Sequence, residues 1–393
     1  MSNRLDRGHD PSSETNRSDL EESRITEVSP TSGVIRPSNE RSASATFVTD
    51  AQNRPAPNRP APNRPRGTSE RWEGARSIPK VHVKALHQHD RTPTKKMVFD
   101  TLMLIASAIA GVVAWQYEHY ALTIVFWVIG GFLGNIKPLA FHDAAHGTLH
   151  PSSRTNEAIG LAIGTSIWVP ISLYRYAHAK HHSHIATEQD PELWPFTIPT
   201  APLWGRRLVA FFELLFGFLV TPILFFRAYW IADDMTIKVR RNIRREYAIA
   251  TATWLVMLGM VSVMDWWTEA MVGVIAPWMV AGFFQTGNKY VEHMGMTGVG
   301  IMGTSRSVVP KDKLGETLSA AWQNVAHHAA HHLYAKIPHY NLPEASSHII
   351  SDTPPEGTVF STYTSATLAM IKTLDNPKVG PQWNTTAASR SKS

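Results

Sequence analysis

Four long apolar segments constrain the fold of this chain more than any other feature of its sequence. A helix needs about 20 mostly apolar residues to span a bilayer, and residues 97–117, 120–141, 247–264 and 270–287 have this character. Because the hydrocarbon core cannot hydrogen-bond with backbone N–H and C=O groups, such segments satisfy these groups internally by forming helices. The sequence therefore predicts an all-α integral membrane protein with four transmembrane helices in two hairpins.

Lysine and arginine residues set the predicted orientation. Lys95 and Lys96 precede the first span, and a basic cluster at residues 238–245 precedes the third. Such residues concentrate on the cytoplasmic side, so both hairpins are expected to begin and end in the cytoplasm. The net charge of +6 lies largely in the N-terminal region and beside apolar runs. A membrane surface accounts for it better than nucleic acid, and no nucleic-acid partner is predicted.

Two further apolar stretches, at residues 158–174 and 208–226, leave the span count open. A six-span, transporter-like protein fits the hydropathy nearly as well as four spans. If either stretch crossed alone, however, histidine-rich segments would lie on opposite sides of the bilayer. We therefore predict that both are interfacial helices on the cytoplasmic leaflet, within a helical cap.

The ends of the chain differ in composition from the middle. Residues 53–65 repeat Asn-Arg-Pro-Ala-Pro, which cannot bury a core. The predicted organisation is a disordered tail over residues 1–90, a membrane domain over 91–372 and a flexible tail over 373–393.

Histidine is the unusual residue, with 19 copies. Three short boxes repeat it at helical spacing, where positions i, i+3 and i+4 share a face. Their members are His142 and His146; His178, His181 and His182; and His328, His331 and His332. A single box is weak evidence of a site, but three boxes together predict a metal centre.

The ligand type and number restrict the metal chemistry. Neutral imidazole suits iron, zinc, copper and nickel, and this many imidazoles exceed the four ligands of one structural zinc. Two metal ions fit better, with His293 as a further ligand. The chain has no cysteine, which excludes thiolate sites, iron–sulfur clusters and disulfides. Asp143 and Glu292 are either partners of ligand imidazoles or ordinary helix residues.

Sequence around the boxes resembles the membrane fatty acid desaturase superfamily over roughly residues 95–350. The resemblance rests on Arg175-Tyr-Ala-His178-Ala-Lys-His181-His182, on Asp190-Pro191-Glu192, on Asn324 and on the run from His331 to Pro343. That last run is similar to the acyl desaturase branch. Ala330 stands where an acidic residue is common in the family.

This resemblance implies a membrane enzyme with two iron ions that uses O2 to introduce a C=C bond into an acyl chain. It implies that the eight box histidines are catalytic ligands, joined by His293 as a metal ligand. The substrate would be a lipid, an acyl-CoA or a carrier-bound chain. Because the chain has no cysteine, a separate ferredoxin or cytochrome would supply electrons.

Other functions fit the residues less well. A hydroxylase or ketolase acting on a lipid would share the iron site. A zinc metalloprotease would need a glutamate after the first histidine, where Asp143 stands. A metal transporter would need ligands along the membrane path, whereas these histidines lie outside the predicted spans. A carboxylate-bridged di-iron bundle would need Glu-x-x-His pairs, which the sequence lacks.

Overall fold

A computed structural model describes residues 71–384, and nearly all of its regular structure is helical. The helices are α1 Lys80–Leu86, α2 Thr92–Gln116, α3 Tyr120–His146, α4 Ser153–Ser166, α5 Ile171–Ser183, α6 Leu203–Ile231, α7 Ile237–Met264, α8 Trp267–His293, α9 Gly300–Thr304, α10 Lys313–Ala321, α11 His328–Leu333, α12 Leu342–Ile349 and α13 Tyr363–Ile371. Two short strands, Ser307–Val308 and Val359–Phe360, pair with each other in parallel. The prediction of a mostly helical chain is confirmed.

Five of these helices are long and apolar enough to cross a membrane: α2, α3, α6, α7 and α8. Four contain the predicted spans. Their outer surfaces are apolar, as at Leu255, Val256 and Val263 of α7, which are 65%, 63% and 84% exposed. Large apolar side chains on the outside of a protein are expected where lipid is the solvent.

The fifth apolar helix, Leu203–Ile231, is longer than the interfacial helix predicted at residues 208–226. It is kinked at Phe216, whose backbone angles are not helical, and it contains Pro222. Close to the kink, the carbonyl of Glu213 accepts a hydrogen bond from Thr286 Oγ1 of α8 at 2.9 Å. At this crossing a Cβ on Gly217 would lie 2.4 Å from Thr286 Oγ1, so only glycine allows the two helices to meet.

The helix predicted at residues 158–174 is instead two helices, α4 and α5, bent by 99°. Pro170 lies at the break and Trp168 has a φ of +56°. Proline lacks the N–H that a continuous helix requires and disfavours helical geometry in the residue before it. The bend gives the second histidine box a helix of its own.

The segment from residue 71 to residue 90, the N-terminal strap, differs from the predicted tail. It contains α1 and packs against the region of the third box, with Ile78 and Leu86 only 4% and 2% exposed. Tyr334 Oη accepts a hydrogen bond from Ile78 N at 3.2 Å. These apolar contacts outweigh a locally polar composition, so the folded domain begins before residue 91. The rest of that tail lies outside the described residues.

The predicted C-terminal tail also differs where the structure describes it. Val379 is fully buried, and its N–H donates to Phe196 O at 2.9 Å. Gly380 N–H donates to Met296 O at 2.8 Å. The part of this tail beyond residue 384 lies outside the described residues.

Two truncations separate the strap from the residues before it. Deletion of residues 1–70 is expected to leave the amount of metal bound by the histidine boxes near wild type. Deletion of residues 1–90 is expected to lower it several-fold, since burial of Ile78 and Leu86 contributes about 1.5–3 kcal/mol each. Elemental analysis of the two purified truncations measures bound metal per chain and tests this. Equal behaviour of the two proteins would show that the strap does not support the site.

Candidate metal centre

Three of the predicted ligands, His142, His146 and His293, lie at the ends of long apolar helices. His142 and His146 occupy the final turns of α3, which ends where Gly147 adopts a φ of +78°. Glycine reaches this left-handed conformation without a steric penalty. His293 is the last residue of α8. Helices α3 and α8 pack against each other. The first box and His293 therefore lie at the ends of two neighbouring helices.

The second and third boxes lie on short helices outside the long ones. Helix α5 carries His178, His181 and His182, and α11 carries His328, His331 and His332. The turn before α11 includes Asn324 at a φ of +49°, a conformation that asparagine tolerates. Asn324 Nδ2 donates to His339 O at 3.1 Å and so fixes the entry into α11.

The nine predicted ligands converge as two adjacent groups. The five-histidine group contains His142, His146, His178, His182 and His331. The four-histidine group contains His181, His293, His328 and His332. Within each group one nitrogen per residue lies within 4.8 Å of all the others. The groups touch, since the rings of His182 and His332 are 4.4 Å apart at their centroids.

Helix geometry explains how the boxes divide. Residues i and i+4 lie close together around a helix, whereas i+3 lies about 100° away from i+4. His178 and His182 accordingly join one group, and His181 of the same turn joins the other. In the third box His328 and His332 join the four-histidine group, and His331 crosses to the other. Each of these two boxes therefore serves both groups.

The separations between imidazole nitrogens fit metal ligation. His142 Nε2 lies 3.0 Å from His331 Nε2, and His146 Nε2 lies 3.0 Å from His178 Nε2. At a metal–nitrogen distance of about 2.1 Å, ligands at right angles would be about 3.0 Å apart and tetrahedral ligands about 3.4 Å. The observed spacing thus suits a metal with more than four coordination positions.

Outer hydrogen bonds fix which nitrogen of several imidazoles faces inward. His293 Nδ1 donates to Thr304 O at 3.1 Å. His178 Nδ1 lies 3.0 Å from Glu192 Oε1, and His181 Nδ1 lies 2.8 Å from Asp190 Oδ2. A carbonyl or carboxylate oxygen accepts this proton, which leaves the Nε2 lone pair free. The inward-facing Nε2 atoms of these three imidazoles are therefore available to a metal ion.

Burial favours the neutral form of most of these imidazoles, although at His181 the effect of Asp190 outweighs burial and raises the pKa to about 9. Desolvation, reinforced by neighbouring histidines, lowers the pKa of His331 and His332 well below its usual value. Burial alone would raise the pKa of Asp190, but the nearby His181 holds it below the ordinary range. Neutral imidazole with a charged outer partner is the form that binds a metal ion.

The sequence did not decide the role of Asp143, and it did not indicate any role for His339. Asp143 is buried and its Oδ2 accepts a hydrogen bond from His339 Nδ1 at 2.7 Å, while its Oδ1 lies 3.5 Å from His142 Nδ1. Asp143 is thus bonded to an imidazole that lies in neither histidine group, and its role as a partner of the ligand His142 stays a prediction. The role of His339 was missed, because only the fold brings a residue so distant in sequence to the end of α3.

Three histidines next to the boxes, His150, His184 and His327, stay out of both groups. His327 points away from its neighbour and meets Ser346 Oγ at 2.9 Å. His184 Nδ1 lies 2.8 Å from Ser183 Oγ, and His150 Nδ1 accepts from Ser152 N at 2.9 Å. Glu292 Oε1 is 3.5 Å from His328 Nδ1, which places this carboxylate beside the four-histidine group.

One cavity borders both groups of histidines. Its lining includes His142, His178, His181, His293 and His328. Its apolar wall is formed by Phe141, Ile167, Val169, Leu224 and Phe225, and its polar wall by Glu213, Gln285, Asn288 and Lys289.

The polar wall carries a buried ion pair. Glu213 pairs with Lys289, and Tyr290 Oη donates to Glu213 Oε2 at 2.8 Å. The pair neutralises both charges and ties α6 to α8 beside the cavity.

Long apolar helices, together with nine converging imidazoles, define a membrane protein with a candidate dimetal centre. Comparison with known proteins identifies the family: the fatty acid desaturase family matches residues 118–364. The chain belongs to the fatty acid desaturase family, and the resemblance inferred from its sequence is confirmed.

Relatives within this family are distant. A chloroplastic omega-3 fatty acid desaturase of Glycine max is 23% identical over 69% of this chain and 62% of its own length. An oleoyl-12-hydroxylase of Ricinus communis is 23% identical over 62% of this chain and 66% of its own. An sn-1 acyl-lipid omega-3 desaturase (ferredoxin) of Synechocystis is 23% identical over 57% and 66%. The chain thus spans less than two thirds of the length of these three relatives.

Proposed function

We propose that the protein is an O2-dependent acyl desaturase that holds two iron ions and introduces a C=C bond into an acyl chain. The observation that carries this proposal is the pair of adjacent all-histidine groups bordering one cavity. Membership of the desaturase family supports it.

The proposed topology has four spans, α2, α3, α7 and α8, with the remaining helices in a cytoplasmic cap. Lys95 and Lys96 near the start of α2 and the basic residues at 238–245 in the first turns of α7 support this orientation. Helix α6, although long enough to cross, is kinked at Phe216 beside α8. We propose that it lies along the cytoplasmic leaflet, because a fifth crossing would separate the second box from the third.

The nine histidines of the two groups would hold the irons. Bound there, two irons supply the activation of O2, and the reaction removes two hydrogens from adjacent methylene carbons while two electrons and two protons complete the reduction of O2 to water. Asp190 and Glu192 hold protons on the outer nitrogens of His181 and His178. The apolar wall aligns the chain and excludes water from the reacting carbons.

Partners follow from the chemistry of the site. An apolar wall leading to the metals fits an acyl chain carried by a lipid, by CoA or by a carrier protein. The two electrons come from outside, since the chain has no cysteine for an iron–sulfur cluster. We propose a separate ferredoxin or cytochrome donor, and a relative with ferredoxin in its name supports the first.

Expression in a host without fatty acid desaturases tests the proposal. Mass spectrometry of total lipids is expected to show products two hydrogens lighter than their precursors, with wild type and not with His331→Ala. Hydroxylation is the second candidate, favoured by the relative named oleoyl-12-hydroxylase, and it would add one oxygen atom. Lipids unchanged by wild-type protein that has inserted and bound iron would overturn the proposed desaturation.

A further inference from the structure

A third group of metal-binding side chains lies away from the nine histidines. His82 of α1 meets Glu344 and His348 of α12, with one donor atom from each within 4.8 Å of the others. Glu344 and His348 share a helix face through their i, i+4 spacing. The rings of His82 and His348 stack with centroids 5.0 Å apart. The strap and the cap therefore each contribute to one cluster.

Apart from the stacking of the two imidazole rings, these three side chains are free of polar contacts in the described part of the chain. Over residues 71–384 no hydrogen bond or ion pair engages the imidazole of His82 or His348 or the carboxylate of Glu344. Lys80 and Lys84 flank His82 on α1. Residues two positions apart on a helix do not face each other, so these cations point away from the cluster. Two imidazoles and one carboxylate thus face a shared space with free lone pairs.

We propose that His82, Glu344 and His348 form a zinc site that fastens the N-terminal strap to the cap. Two imidazoles with one carboxylate are a ligand set that zinc accepts, and water completes its four positions. The set differs from the all-histidine groups of the proposed iron centre, so the two kinds of site are chemically separable.

Zinc at this position would act on the region that carries the third box. Below the cluster, Ile78 and Leu86 of the strap pack against Ala345 and Ile349 of α12. A cross-link between residues this far apart in the chain restricts a long loop. Metal bound only by the closed strap stabilises that closure by mass action. Occupancy would therefore lower the fraction of molecules with an open strap without changing the iron ligands.

Zinc content and protease protection of the full-length protein test the site. Wild type, His82→Ala and His348→Ala are equilibrated with the same free zinc, and elemental analysis counts the bound metal. Wild type is expected to hold one more zinc ion per chain than either variant, since zinc in the iron sites contributes equally to all three. With zinc about 100-fold above its Kd, strap opening, read as trypsin cleavage at Lys80 and Lys84, should fall about 100-fold in wild type and in neither His82→Ala nor His348→Ala.

A control histidine distinguishes this site from general zinc adsorption. His119→Ala removes an exposed imidazole far from the cluster in sequence and is expected to behave as wild type. Because His82 is exposed and His348 half-buried, the variants should fold, and unchanged iron content verifies this. Equal zinc content in wild type and both variants would overturn the site. If trypsin cleaved the wild-type strap at the same rate with and without zinc, the proposal that zinc fastens the strap would be overturned.

Discussion

His331→Ala is expected to abolish desaturation and to lower bound iron while the protein still inserts into the membrane. Its Nε2 lies 3.0 Å from that of His142 and 3.1 Å from that of His182, so it joins the first and second boxes within the five-histidine group. Loss of an outer-shell partner typically costs about 10–100-fold, and loss of a ligand should exceed this. Product yield and iron per chain measure the effect.

His184→Ala is the matched control. It removes an imidazole close to the second box that belongs to neither group and whose contact is with the neighbouring Ser183. It should retain iron and activity near wild type. Full turnover by His331→Ala would refute its assignment as a ligand.

Asp190→Asn is expected to lower activity or iron affinity about 10–100-fold. Asp190 Oδ2 accepts from His181 Nδ1 at 2.8 Å and from Ala186 N at 3.0 Å, and Oδ1 accepts from Glu192 N at 3.0 Å. An amide has one acceptor oxygen where the carboxylate uses two, and it lacks the negative charge that supports the His181 ring. The iron dissociation constant and the turnover of loaded protein separate weaker binding from slower chemistry.

Asp233→Asn provides the comparison for Asp190→Asn. Asp233 is exposed and lies outside both histidine groups, so the same chemical change there should have little effect. If Asp190→Asn bound iron and turned over like Asp233→Asn, the carboxylate would have no role in orienting His181.

The spacing of the boxes was enough to predict eight of the nine histidines that converge, and the ninth, His293, was predicted as a further ligand outside the boxes. Helical periodicity is local, so positions such as His178 and His182 share a face whatever the rest of the chain does. Which of the other boxes His181 meets depends on the position of the other helices, which no local pattern contains. The same holds for His339, because its contact with Asp143 joins residues far apart in sequence.

Errors at the edges of the domain have a different origin. The strap and residues 373–384 look like linker sequence, yet a few apolar side chains, such as Ile78 and Val379, are buried by distant elements. Tertiary contacts override local composition in such segments. The bend between α4 and α5 was readable in principle, because Pro170 follows Val169 within the apolar stretch.

Iron content per chain of the purified wild-type protein tests the central claim most directly. Two adjacent groups of imidazoles, one of five and one of four, predict two iron ions per chain in protein that turns over. A catalytically active preparation with one iron ion, or with zinc and no iron in these groups, would contradict the account.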